Sequence, residues 1–182
     1  MEIVKKINQI KAVKITATIL LGTILLAISS KIKIPFYPVP MTMQTLVVLL
    51  IGISLGWKIG MATIALYLFE GIIGLPVFAG TPEKGLGLIY FTGPTMGYLI
   101  GFLITVYFVG KFNYESFLNT FLKLTFATSF IYILGIAWLG MLIGWDKELF
   151  KIGAMPFLLA ESFKILIASL VTNKIKKIRN IF

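Results

Sequence analysis

The sequence predicts an all-α integral membrane protein: a single domain over residues 1–182, built as a six-transmembrane-helix bundle with both termini cytoplasmic. Three observations predict it. Hydrophobic residues make up 58% of the chain and charged residues only 13%, where soluble domains carry roughly a quarter charged. The mean hydropathy is +0.97, and the apolar residues fall into long runs rather than the one-sided stripes of a surface helix. The basic residues gather between these runs in a pattern that favours one orientation.

The first run, about 13–30, follows a short basic start with Lys5, Lys6, Lys11 and Lys14. A basic start, an apolar run and the small residues Ala27-Ile28-Ser29 also fit a cleaved signal peptide. Its removal would leave an odd number of spans and put the basic C-terminus outside, so the run reads as a span. Pro35, Pro38 and Pro40 then forbid a regular helix. The second span is about 43–55, and the tight link Gly56-Trp57-Lys58 leads to the third, about 59–73. Both are short for a core about 30 Å thick, so they extend or tilt.

Residues 74–92 are rich in Gly and Pro yet apolar, which predicts a segment folded back over the bundle as a lid or binding loop. The fourth span is about 94–109 and the fifth about 117–143. A turn, GWDKELFKIG, precedes the last span, which Pro156 enters at a first-turn position. With the termini cytoplasmic, Lys5, 6, 11, 14, 58, 111, 174, 176, 177 and Arg179 lie inside, ten in all, against five outside at Lys31, 33, 84, 147 and 151. The three longer connections then face outward. Gly pairs at 52/56, 56/60, 93/97, 97/101 and 140/144 have the spacing that lets helix backbones approach.

Composition also excludes chemistry. Without cysteine or histidine there is no disulfide, thiol nucleophile or Ser-His-Asp arrangement, and most zinc and haem sites fall away. No G-x-x-x-x-G-K-[ST] occurs, so the chain has no P-loop of its own. No metal or organic cofactor is indicated. The net charge of +10 reads as cytoplasmic lysines near anionic membrane lipid rather than as a nucleic-acid surface.

The last span carries Glu161 and Lys164, three apart and so on one helix face. Each charge at mid-membrane costs about 2.5–3.5 kcal/mol on insertion scales, which turns both away from lipid. They are either a structural ion pair between helices or part of a binding site for a small polar molecule. An intramembrane enzyme would need an oxyanion site beside Glu161, Ser162 or Lys164, and none is identifiable. A purely structural protein explains the packing glycines but neither the charged face nor the apolar lid.

PVPMTMQT at 38–45 and LPVFAGTPEKGLGLIYFTGPTMGYLIG at 75–101 resemble the BioY family, the biotin S components of energy-coupling-factor (ECF) transporters. The resemblance continues through Ile131-Tyr132, Gly135, Trp138-Leu139, Gly144-Trp145-Asp146 and Pro156-Phe157-Leu158. It implies a multi-pass protein of a bacterial or archaeal cytoplasmic membrane that binds biotin from outside. A transmembrane coupling protein and two ATPase subunits would power transport, although some members occur without a dedicated module. A different vitamin or small carboxylate is the alternative substrate.

The resemblance also implies site residues. The family's last span usually carries Gly-Asp-x-x-Lys, with acid and lysine among the ligands; here it reads Ala160-Glu161-Ser162-Phe163-Lys164. The longer carboxylate and added methyl are expected to reach into ligand space and alter affinity or ligand choice. Glu161 is expected to accept from a ureido N–H and Lys164 to donate to the ureido oxygen. Phe78, Tyr90 and Tyr98 are expected as aromatic walls, and Lys84 or Thr81, or backbone N–H groups of the lid, as partners of the tail carboxylate. Thr42 and Gln44 match the family's T-x-Q, as ligand contacts, as a gate of the first outer loop or, for Thr42, as a helix cap. The Gly93-Pro94-Thr95 turn is expected to set backbone geometry, with substrate contact as the alternative. Glu70, where the family tends to be apolar, is expected to pair with a lysine or face the outer cavity. Family docking through Ala-xxx-Ala on the first helix has only looser counterparts: Ala12-xxx-Thr16, Thr18-xxx-Gly22 and Thr23-xxx-Ala27.

Overall fold

The structure is a computed structural model that describes residues 2–35, 37–80 and 85–181, with side chains from residue 9 onward. The chain runs through α1 (Glu2–Lys31), a two-strand hairpin of β1 (Lys33–Ile34) and β2 (Met41–Thr42), then α2 (Gln44–Ile72). The short α3 (Leu88–Phe91) lies within the lid segment and precedes α4 (Met96–Lys111) and α5 (Phe117–Ile143). The short α6 (Leu149–Gly153) and a 3-10 turn at Met155–Phe157 lead into α7 (Leu158–Ile175), and the chain closes on a 3-10 turn, Lys176–Ile181. The proline-rich connection is thus not wholly irregular: Lys33 pairs with Thr42 and Ile34 with Met41, antiparallel.

α2 reverses direction within its length. Gly56 has φ 73° and ψ 178°, a conformation that is essentially glycine's alone. Gln44 Nε2 reaches the Tyr67 hydroxyl at 2.6 Å across 23 residues, which along one straight helix would be about 34 Å apart. A Cβ on Gly60 would lie 3.8 Å from Gly52 Cα. α2 is therefore two antiparallel arms folded at Gly56. By length and apolar composition four stretches among the described residues could cross a membrane, Gln9–Lys31, Gln44–Ile72, Phe117–Ile143 and Leu149–Ile181, of which Gln44–Ile72 is folded into its two arms, and α4 is a shorter apolar helix.

The glycine spacings serve different ends. On α4, a Cβ at Gly97 would strike the Leu134 carbonyl and one at Gly101 would lie 2.6 Å from Ile131 Cα, so α4 and α5 meet backbone to backbone. Gly140/Gly144 is a correction to the expectation of helix packing. Gly140 leaves room for the Trp145 indole, which a Cβ there would meet at 2.8 Å, and Gly144, at φ 96°, ends α5. At the other end of α5, Ser116 Oγ accepts from the Asn119 N–H at 3.3 Å as an N-cap.

α7 buries Glu161, Lys164, Ile165, Ala168, Ser169 and Thr172, the i, i+3, i+4, i+7 stripe of a helix seated on one side. That stripe packs on α2 and α5, while Leu159, Phe163 and Leu170 on the opposite side are exposed, as befits a lipid-facing surface. Beyond α7, Arg179 donates to the carbonyls of Gly52 at 2.9 Å, Ile53 at 2.6 Å and Val109 at 3.0 Å. One guanidinium thus caps the ends of the first α2 arm and of α4, where unpaired carbonyls and the helix dipole both favour a cation.

At the opposite end the lid folds over the bundle. Ser30 Oγ and the Tyr67 hydroxyl both donate to the Val77 carbonyl, at 2.7 and 3.0 Å. Lys31 Nζ donates to the Phe78 carbonyl at 2.6 Å and Lys33 Nζ to that of Ala79. Residues 77–79 are strapped down by four donors. The Phe78 ring fills the space beside Gly71, where a Cβ would collide with it.

Candidate functional site

Beneath the lid lies a cleft of about 550 Å³ of non-atom space, open at its mouth. The β-hairpin and the start of α2 form one wall, with Thr42, Gln44 and Thr45; Ala79 and Tyr90 of the lid segment cover it; α4 and α5 close the far side with Tyr98 and Tyr132; Glu161 and Lys164 of α7 lie at its base. Glu161 and Lys164 are only 4% and 6% exposed. Such burial of two charges is tolerable only when they are paired and hydrogen-bonded.

The pairing is unequal. Glu161 Oε2 accepts from Thr45 Oγ1 at 3.0 Å, the Tyr132 hydroxyl at 3.0 Å and Lys164 Nζ at 3.2 Å. Lys164 gives its other bonds to the Thr42 carbonyl at 2.7 Å and Thr45 Oγ1 at 2.9 Å. An ammonium has three donors, so donation from Lys164 to a ligand oxygen requires exchange of one of these bonds. Glu161 Oε1 is buried and has no hydrogen-bond partner. Glu161, which lines the cleft, therefore holds one desolvated carboxylate oxygen that lacks a donor.

Six residues expected at a site come together in this cleft: Glu161, Lys164, Thr42, Gln44, Tyr90 and Tyr98. Phe78 does not line it. Its ring packs edge-on to Tyr67 at 5.5 Å and stacks on Tyr90 at 5.6 Å, so it supports the lid while Ala79 next to it faces the cleft. Thr81 and Lys84 lie outside the described residues. Thr42 Oγ1 donates to Gln44 Oε1 at 3.2 Å and accepts from the Gln44 N–H at a long 3.4 Å; the N-cap position itself is Met43. Tyr98 anchors to the Gly153 carbonyl at 2.8 Å. Burial pushes the Tyr90 hydroxyl above the usual tyrosine range, so it stays a neutral donor and acceptor.

Ala160, whose methyl is expected to reach ligand space, does not line the cleft. Glu70 accepts from Thr23 Oγ1 at 3.2 Å, between α1 and α2. Among the described residues no lysine lies within ion-pair distance of it, and it does not line the cleft.

Sequence reasoning missed three residues. Thr45 and Tyr132 grip the carboxylate although they are 116 and 29 residues from it in the chain. Both lay inside motifs that carry the family resemblance, Thr45 at the end of PVPMTMQT and Tyr132 in Ile131-Tyr132, but neither was given a role at the site. Lys33 lines an outer vestibule of about 1180 Å³ that shares Pro40, Ala79, Tyr90 and Thr95 with the cleft. A polar base, an aromatic middle and a cationic rim follow one another from inside to out.

The sequence profile of the BioY family matches residues 4–180. The chain belongs to the BioY family. It is 34% identical over 158 residues to the biotin transporter BioY of Thermotoga maritima, covering 86% of this chain and 92% of that one. Against the probable biotin transporter BioY of Pyrococcus horikoshii it is 32% identical over 156 residues, 84% of this chain and 90% of the other. The crystal structure of an S-component for biotin from an ECF-type ABC transporter superposes with TM-score 0.79 at 24% identity, over 92% of this chain and 93% of that one. This BioY chain shares its fold.

Proposed function

We propose that this chain takes up biotin as the membrane-embedded S component of an ECF-type transporter. It is a transport component and not an enzyme. The observation that carries the reading is Glu161: a buried carboxylate under a lid, one oxygen held by three donors and the other without any. A ureido ring brings N–H donors to that oxygen, and the apolar and aromatic lining suits the rest of a small bicyclic ligand. Lys164 balances the carboxylate and reaches the ureido oxygen by exchanging one of its present bonds. Thr42, Gln44, Tyr90 and Tyr98 line the ring's path. The tail then points into the outer vestibule, where Lys33 is the described cation, with Thr81 and Lys84 further candidates.

Six crossings with both termini cytoplasmic agree with the reversal at Gly56 and with the ten-to-five distribution of basic residues. The membrane is a bacterial or archaeal cytoplasmic membrane. Energy comes from a transmembrane coupling protein and two ATPase subunits, a division of labour with which the lack of a P-loop in this chain agrees. Residues 9–20 of α1 include no buried position, which leaves that part of α1 free for a coupling helix. The longer Glu161 where the family has Asp favours the second reading, a different vitamin or small carboxylate.

Labelled biotin uptake into cells lacking their own biotin transporter tests this, with and without an ECF module and with other vitamins as competitors. Uptake that biotin alone competes away supports the reading. Uptake competed instead by another vitamin transfers the function to that ligand.

A further inference from the structure

We infer that Thr45 and Tyr132 are positioning residues for recognition: their hydroxyls fix one oxygen of Glu161 and so reserve Oε1 for an N–H donor on the ligand. The inference rests on the biotin reading above. A carboxylate has about four lone-pair sites across two oxygens, and donors normally spread over both. Here three converge on Oε2, and Oε1 has none.

The direction of each bond is determined. Lys164 can only donate, so the Thr45 hydroxyl must accept from it at 2.9 Å and pass its own proton toward Glu161 at 3.0 Å. Thr45 thus links the ammonium to the carboxylate from α2. Tyr132 approaches from α5 and donates its phenolic proton at 3.0 Å. The two hydroxyls hold the carboxyl plane between two helices, and a flexible three-torsion side chain becomes a fixed acceptor. Lys164 supplies charge balance, with its three donors already engaged.

A fixed, desolvated acceptor discriminates by what it is denied. A ligand with an N–H at Oε1 completes the set, while one with a ring oxygen there leaves a buried carboxylate oxygen unpaired and faces it with a lone pair. If Thr45 or Tyr132 loses its hydroxyl, the carboxyl group turns and the discrimination weakens, even where the cleft keeps its shape.

The test compares biotin with an isosteric analogue carrying ring oxygens in place of its two ureido N–H groups. Affinities for both are measured on wild type, Thr45→Val, Tyr132→Phe and Thr45→Ser in detergent. Wild type prefers biotin by about a hundredfold or more. Thr45→Val and Tyr132→Phe each lose about tenfold in biotin affinity and little in analogue affinity, so the ratio contracts; Thr45→Ser, which keeps its hydroxyl, keeps the ratio. Should Thr45→Val not fold, Tyr132→Phe and Thr45→Ser still decide. Equal losses for both ligands, or no loss for either, overturn the inference and reduce the hydroxyls to packing. A folded wild type that does not bind biotin contradicts the functional reading instead.

Discussion

Gln44 Nε2 donates to the Tyr67 hydroxyl at 2.6 Å, and that hydroxyl donates onward to the Val77 carbonyl at 3.0 Å. One phenol therefore joins a cleft-lining amide, both arms of α2 and the lid. Tyr67→Phe keeps the ring and removes both bonds. A buried polar group left unpaired costs about 1–3 kcal/mol, so the variant should melt several degrees lower in detergent. Biotin should also dissociate faster, because the lid has lost one of its four straps. An unchanged dissociation rate would mean that the lid does not retain the ligand.

The Glu161–Lys164 pair is predicted to be more important for recognition than for stability. Removing one partner strands a buried charge, at a cost of about 3–5 kcal/mol, so Glu161→Ala and Lys164→Ala should each lower the melting temperature and weaken biotin binding severely. The double change Glu161→Leu/Lys164→Met removes both charges and should recover most of the melting temperature without recovering binding. Melting curves and biotin titrations on the three proteins check this. Recovery of binding in the double variant would remove the carboxylate from the recognition scheme.

Arg179 is predicted to act on stability alone. Its guanidinium caps two helix ends through the carbonyls of Gly52, Ile53 and Val109, and hydrogen bonds to a charged group are worth about 1.5–3 kcal/mol. Arg179→Ala should lose stability comparable to one or two such bonds, and Arg179→Lys should recover only part, since an ammonium lacks the planar fork. Biotin affinity measured below the melting transition should remain near that of wild type.

These contacts divide what was legible in the sequence from what was not. The fifth span, 117–143, coincides with α5 because its end signals are local: a Ser cap at 116 and a Gly terminator at 144. The reversal at Gly56 and the shared face of Glu161 and Lys164 are local too. The partners of that pair are not. Helical periodicity places two residues on one face but does not say which other helix that face meets, so Thr45 and Tyr132 stayed hidden. Lys31 and Lys33 read only as charges on the outer side, and the folded lid assigns them to the Phe78 and Ala79 carbonyls. Phe78, an expected pocket wall, packs instead behind the lid because Gly71 leaves room for its ring.

Lys33 bears on the ligand's other end. Lys33→Gln also removes a lid strap, so biotin and a neutral biotin ester should both bind more weakly; if the tail carboxylate lies in the outer vestibule, biotin should lose several-fold more affinity than the ester. The difference should shrink as salt rises, since an exposed ion pair is screened. Titration of both ligands at two salt concentrations measures it.

The central claim is that biotin binds in the cleft against Glu161. Titration calorimetry of biotin into the detergent-purified protein, beside Glu161→Ala, tests it most directly. The account predicts tight one-to-one binding by wild type and its loss in a variant that remains folded. Unchanged binding to Glu161→Ala, or no heat from a folded wild type, would contradict it.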